Sequence, residues 1–401
     1  GLGLACLLLT FETALFWTTR GYDNYHVYQH SSLAVLWAVI PFAVMAFLCQ
    51  KRLFNWLLVA VVCYCTALVF WFLGFEHYRL AEPWIFLNSS FLTRTVLVGS
   101  LGAAAVLVFR SKAETDRNAL FQATTKQLTG MLALVSYLLG AFLLTLEVWT
   151  FWELRESPYQ DAYQTGSLNV LWAVIPLLTT YVVCSKRLGN WIQLSAYAYG
   201  FALLLFLNLL DPYLIEDMHL FWNISFGTRA PLVASFAVAA WLIYRYNHEA
   251  SVFEKMPFSA AHVAGAHLLA GYAVSALLLT IDVSCFWEAR EVAHRLNHEL
   301  GSLVVLWSLI TLATAFVIYV KRARIWTFLL LGDCAVCLLI FALSLRQYQI
   351  KDSYLIANTT FLARLTLPVA LWIGAHLMRK LDRIRRSEEH TSELQSPSAI
   401  S

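Results

Sequence analysis

Three acids recur at one interval in this chain: Glu12, Glu147 and Asp282 lie 135 residues apart, and Arg94, Arg229 and Arg364 keep the same spacing. Both sets fall inside long apolar stretches. A carboxylate and a guanidinium in such surroundings can form an ion pair, line a charged cavity or handle a cation. An unpartnered charge in hydrocarbon costs several kcal/mol, so the spacing predicts three pairs: Glu12 with Arg94, Glu147 with Arg229, and Asp282 with Arg364. Two readings of these pairs stay open. They form either a polar cavity reached from one side of a membrane or struts that join two helices.

Asp333 is different, because its positions in the other two registers are Ala198 and Cys63. A lone carboxylate deep in an apolar helix is a candidate for proton or cation handling if it faces the bundle interior, and otherwise a protonated, hydrogen-bonded core residue. His26 with His30, and His294 with His298, have the four-residue spacing that sets two imidazoles on one helix face. A zinc site needs further ligands, and the two histidine pairs are out of phase, so no metal is assigned. Asn88, Asn223 and Asn358 match the glycosylation pattern and also suit helix N-caps, and capping is the expectation. Cys334 and Cys337 read as small buried side chains in an apolar helix. There is no phosphate loop, no nucleophile elbow and no zinc-protease helix, so nothing identifies an enzyme or a cofactor.

What must position these residues is a repeated set of membrane helices. The tripeptide Leu36-Trp37-Ala38 returns as Leu171-Trp172-Ala173 and Leu306-Trp307-Ser308, and Lys51-Arg52 as Lys186-Arg187 and Lys321-Arg322, all at the same interval. Each copy reads as four apolar helices, a to d, which in the second copy run roughly over 131–152, 167–184, 190–210 and 220–244. The predicted fold is therefore an all-α transmembrane bundle of about twelve spans in three parallel tandem repeats, 1–125, 126–260 and 261–385. Because four is even, the copies are parallel and not inverted. Hydrophobic residues make up 60% of the chain and charged residues 13%, against about 25% charged in soluble domains. The net charge of +3 gives no electrostatic footprint for nucleic acid. Lysine and arginine cluster in the b-to-c turns and d-to-a connections, which places that face in the cytoplasm. The acidic positions Glu82, Asp217 and Asp352 fall in the opposite loops, between helices c and d.

Both ends read as unnatural. The chain opens on Gly1 inside a helix that matches internal helices, so it reads as a clipped span. The run from Arg386 to Ser401 resembles the translation of a sequencing-library adapter.

The string Leu-Thr-x-Glu in helix a, Ser-Leu-x-Val-Leu-Trp-Ala in helix b, Lys-Arg-x-x-x-Trp before helix c and Asn-x-Ser-Phe-x-Thr-Arg opening helix d resembles a bacterial family of polytopic membrane proteins, the domain of unknown function 2339 family. The resemblance covers Gly1 to about Arg385 and implies a bacterial inner-membrane location; it carries over no catalytic residue. The glycine that usually follows helix b in that family is absent here. Three roles fit these readings: a protein that binds or moves a small or lipid-linked solute, a structural or assembly protein of the cell envelope, and a membrane-embedded transferase acting on a lipid carrier.

Overall fold

The computed structural model describes residues 2–20, 25–53, 56–77, 84–112, 119–155, 157–209, 219–249, 260–290, 292, 294–321, 326–346 and 359–395. Among them every regular element is helical. The chain parts into two compact units, Gly1–Leu171 and Trp172–Ser401. The first holds α1 (Leu2–Thr18), α2 (Tyr25–Gln50), α3 (Leu57–Leu73), α4 (Ser89–Lys112) and α5 (Ala119–Glu153). The division falls inside α6 (Gln160–Ser185). The second unit continues with α7 (Ile192–Asn208), α8 (Ile224–Glu249), α9 (Ala260–Glu288), α10 (Arg295–Lys321), α11 (Thr327–Arg346) and α12 (Thr359–Gln395).

Nine of these helices are long and apolar enough to cross a membrane among the described residues. The shorter α3 and α7, at 17 residues each, rise about 25 Å, the lower limit for a span. Many large apolar side chains point outward, among them Leu58, Phe72, Trp241 and Trp372, whereas a soluble monomer rarely shows contiguous apolar patches. This is a polytopic helical protein suited to a lipid bilayer. The element boundaries differ most from expectation at α5, which begins at Ala119, and at α12, which runs on to Gln395; α8 begins after Asn223, because the asparagine caps it.

Within the first unit α2 is central, packing on α1, α3 and α4, while α5 packs on α4; in the second, α10 touches α9, α11 and α12, and α8 packs on α9. Small residues permit this, because lipid tails supply no hydrophobic drive and close packing must do so. Ala38, Ala60, Ala67 and Ala104 are fully or nearly fully buried around Trp37, Tyr64 and Trp71. Gly271 brings α9 so near α8 that a Cβ on it would lie 2.9 Å from that of Phe236.

Several joints recur at the 135-residue interval. Trp17, Trp152 and Trp287 each donate an indole N–H to Ser32, Ser167 or Ser302 at 3.0 Å, tying helix a to helix b. Beside them, Arg20, Arg155 and Arg290 lie over Phe16, Phe151 and Phe286 at 4.0–4.4 Å. At the other end α2 and α6 finish in the same turn. Arg52 and Arg187 take left-handed φ values of 58° and 54°, and the next amide reaches back to Leu48 or Val183 at 2.9 and 2.8 Å. This is a Schellman stop, in which arginine stands where glycine is the unstrained choice.

Candidate functional site

The repeated acids begin at the start of α4 and α8. Asn88 and Asn223 accept the amide N–H of Phe91 and Phe226 at 2.8 Å, so each caps its helix as expected. The side-chain amide of Asn223 then donates to Asp282 at 2.7 Å, and that of Asn88 donates to Glu147. The same carboxylates accept the backbone N–H of Phe86 at 3.0 Å and of Phe221 at 2.7 Å. Phe86 and Phe221 hold left-handed φ values of 64° and 61°, which aims their N–H groups out of the turn and toward the acid. Glu147 and Asp282 thus seal the capped turns that open α4 and α8. The third asparagine, Asn358, lies outside the described residues, as do Glu82, Asp217 and Asp352.

The arginines serve the other side of that turn. Arg94 donates to the carbonyls of Ser90 and Gly74, Arg229 to Ser225 at 3.1 Å and Leu209 at 2.6 Å, and Arg364 to Thr360 at 2.9 Å and Ser344. Gly74 and Leu209 are the C-caps that follow α3 and α7, and Ser344 lies in the last turn of α11, at helix ends where the dipole favours a cation. Each guanidinium therefore clamps the end of helix c to the start of helix d. The expected pairing of each acid with the arginine of its own copy placed both groups at a shared depth. Hydrogen bonds join Glu147 to the turn that opens α4 and Asp282 to the turn that opens α8, because α5 packs on α4 and α9 on α8. Glu12 is exposed on α1 with no hydrogen-bond partner among the described residues, while Arg94 is buried, so Glu12 and Arg94 do not pair. Glu147, Asp282, Arg229 and Arg364 are all buried.

Asp333 is buried and has a partner that the sequence reading missed. The Tyr272 hydroxyl from α9 donates to its carboxylate at 2.6 Å and lies 3.0 Å from the Thr314 hydroxyl on α10. Three helices meet on this group. Asp333 lies six residues past the start of α11, about 9 Å of rise, nearer the Lys-Arg end than the expected mid-helix position. From there a seam of polar side chains follows the buried face of α10. Thr311 lies between Thr314 and Ser308; Ser308 lies 3.6 Å from the Cys337 sulfur, and Thr366 donates to it at 3.3 Å. At the far end Arg364 donates to Asn297 at 3.0 Å and to the Ser344 hydroxyl at 3.0 Å.

The other two registers carry apolar residues at nearly every step of this seam. Asn297 corresponds to Val27 and Ala162, Ser308 to Ala38 and Ala173, Thr311 to Pro41 and Pro176, Cys337 to Ala67 and Ala202, and Thr366 to Val96 and Pro231. Tyr64 and Tyr199, which tie helix c to helix d through the carbonyls of Ser100 and Ser235, are replaced by Cys334. A position-by-position comparison of the registers is the signal that would have found Asn297, Ser308 and Thr366.

The histidine pairs resolve differently from a metal site. His298 stacks on Trp287 at 5.2 Å, in the place that Tyr28 and Tyr163 take on Trp17 and Trp152. His294 precedes α10 with φ 61°, so it does not share a helix face with His298. Among the described residues no group of three His, Cys, Asp or Glu could hold a metal ion. His267 is buried, with Nδ1 hydrogen-bonded to the Val263 carbonyl at 2.8 Å and Nε2 without a partner among the described residues.

Compared with family models, curated proteins and solved structures, the chain finds no match in any of the three.

Proposed function

We propose that this chain is a multi-pass protein of a bacterial inner membrane, of the domain of unknown function 2339 family, that binds or moves a small or lipid-linked solute through its third copy. In this reading it comprises three parallel four-helix repeats, with the Lys-Arg turns in the cytoplasm. The observation that carries the reading is Asp333, buried and hydrogen-bonded by Tyr272 within a polar seam at most of whose positions the other registers carry apolar residues. Polar and ionisable groups inside a membrane bundle are costly to bury, which makes a cluster confined to one register a mark of function. The test is Asp333→Asn in the native host, with protein level measured beside phenotype. Loss of phenotype at normal level supports the reading, and an unaltered phenotype overturns it.

A second reading, a structural or assembly protein of the envelope, draws on the repeated charges. Glu147, Asp282, Arg94 and Arg229 are occupied in holding helix ends, and so belong to the scaffold and not to a cavity. Under it, variants along the α10 seam leave the host unaffected while variants at the capped turns lower protein level.

A further inference from the structure

We propose that the Lys-Arg stop of helix b binds the phosphate of an anionic phospholipid, held between that stop and the basic end of helix d in the same copy. Such a site requires that the helices lie in lipid and is independent of any role for Asp333.

The position of the arginines points to a ligand. Lys51 and Lys186 already set a cation directly after α2 and α6. A topology signal accepts lysine or arginine anywhere within about 15–20 residues of a span, and the dipole of a helix end is served by any cation close to it. Neither requires arginine at the one residue of the turn with a left-handed backbone. Yet Arg52 has φ 58° and Arg187 φ 54°, where a side chain is strained and glycine is not. Strain kept at the same turn in two copies marks a position whose side chain is used.

The surroundings suit a phosphate. The spans Tyr28–Gln50 and Gln160–Ser185 end just before these cations, which therefore meet the headgroup layer, and Lys51, Arg52, Lys186 and Arg187 are all exposed. Helix d brings a further cation to each stop. In the first copy Ser111 of α4, next to the exposed Arg110, lies 3.9 Å from the Cys49 sulfur of α2. In the second, Val183 and Cys184 of α6 share a buried cluster with Ile243 of α8, and Tyr246 packs on it, which sets the exposed Arg245 beside the stop. In the third, Lys380 of α12 lies 5.7 Å from the Tyr319 ring of α10, two residues before Lys321; Arg322 lies outside the described residues. Like charges gathered from two helix ends repel, and an anion between them offsets that repulsion. Guanidinium offers a planar fork to two phosphate oxygens, and lysine adds a point charge. The acyl chains mark the occupant as a lipid: directly below the second stop, Tyr181 and Val182 of α6 and Trp241 and Tyr244 of α8 turn exposed apolar surface outward.

The test measures lipid selection by the full chain in mixed micelles, as the rise in thermal midpoint when dioleoyl phosphatidylglycerol replaces dioleoyl phosphatidylcholine. A rise in the parent that is mostly lost in Arg52→Gly with Arg187→Gly supports the site. No rise in the parent, or a full rise in the double variant, overturns it. Glycine suits both turns, so the midpoint of the double variant in phosphatidylcholine alone should hold or increase; a fall there would overturn the strain from which the site is inferred. Arg155→Gln removes an exposed cation past the end of α5 and should keep the selection, whereas an equal loss in that variant would show general charge attraction and overturn the location. Inorganic phosphate in place of the anionic lipid separates the two sources of phosphate: an equal rise would overturn a lipid as the occupant.

Discussion

Replacing Asp282 by alanine removes the acceptor of two hydrogen bonds at 2.7 Å, one from the Asn223 amide and one from the Phe221 backbone. Side-chain bonds between helices in a bilayer average about 0.6 kcal/mol and reach about 1.7, because the unfolded segment in lipid also finds partners. The Phe221 N–H is a backbone donor fixed in a left-handed turn, and leaving such a donor unsatisfied costs about 1–3 kcal/mol. Together these put Asp282→Ala at about 2–4 kcal/mol. A double-mutant cycle with Asn223→Ala isolates the side-chain bond, and its coupling should be about 1 kcal/mol. The assay is reversible unfolding of the full chain in mixed micelles, followed by tryptophan fluorescence. Glu12→Ala serves as the exposed control and should stay within about 0.5 kcal/mol of the parent. Additivity of Asn223→Ala and Asp282→Ala within about 0.3 kcal/mol would refute the joint between helix a and the preceding helix d.

Four further outcomes follow from the packing. Gly271→Ala sets a Cβ against Phe236 and should destabilise by about 1–3 kcal/mol in the same assay. Arg229→Lys keeps the charge but loses the planar fork that spans Ser225 and Leu209, at a cost of about 1–2 kcal/mol; a neutral result would show that charge alone holds the end of α7. Arg187→Gly relieves a left-handed arginine and should stabilise by about 1 kcal/mol. His267→Leu, which copies Leu132, removes a buried ring nitrogen without a partner among the described residues, so thermal stability should hold or rise.

Helix count and membrane character were legible because apolar run length reports directly on span length, and the asparagine caps were legible because an Asn at the start of such a run has one dominant use. The partner of each acid was not. A period of 135 residues fixes the depth of Glu147 and Asp282 but says nothing of the turns of Phe86 and Phe221 that they accept from, and packing of α5 on α4 and of α9 on α8 makes that choice. Asp333 stood out by its departure from Ala198 and Cys63. Its partner Tyr272 did not, because the second register also carries tyrosine there, as Tyr137, so nothing in composition marks the residue as different. The seam was hidden for a related reason: serine and threonine on an apolar helix ordinarily bond their own backbone, as Ser308 and Thr311 also do, and only the third dimension reveals that these hydroxyls line one face.

The sealing of α4 by Glu147 has a consequence for biosynthesis. A nascent chain that has released α4 still carries an open left-handed turn, with the Asn88 amide and the Phe86 N–H lacking their acceptor, until α5 emerges from the ribosome and delivers the carboxylate. The same wait recurs at α8 until α9 arrives. At these two joints the later helix completes the earlier one, so a chain halted between them keeps a helix start that is capped but not sealed.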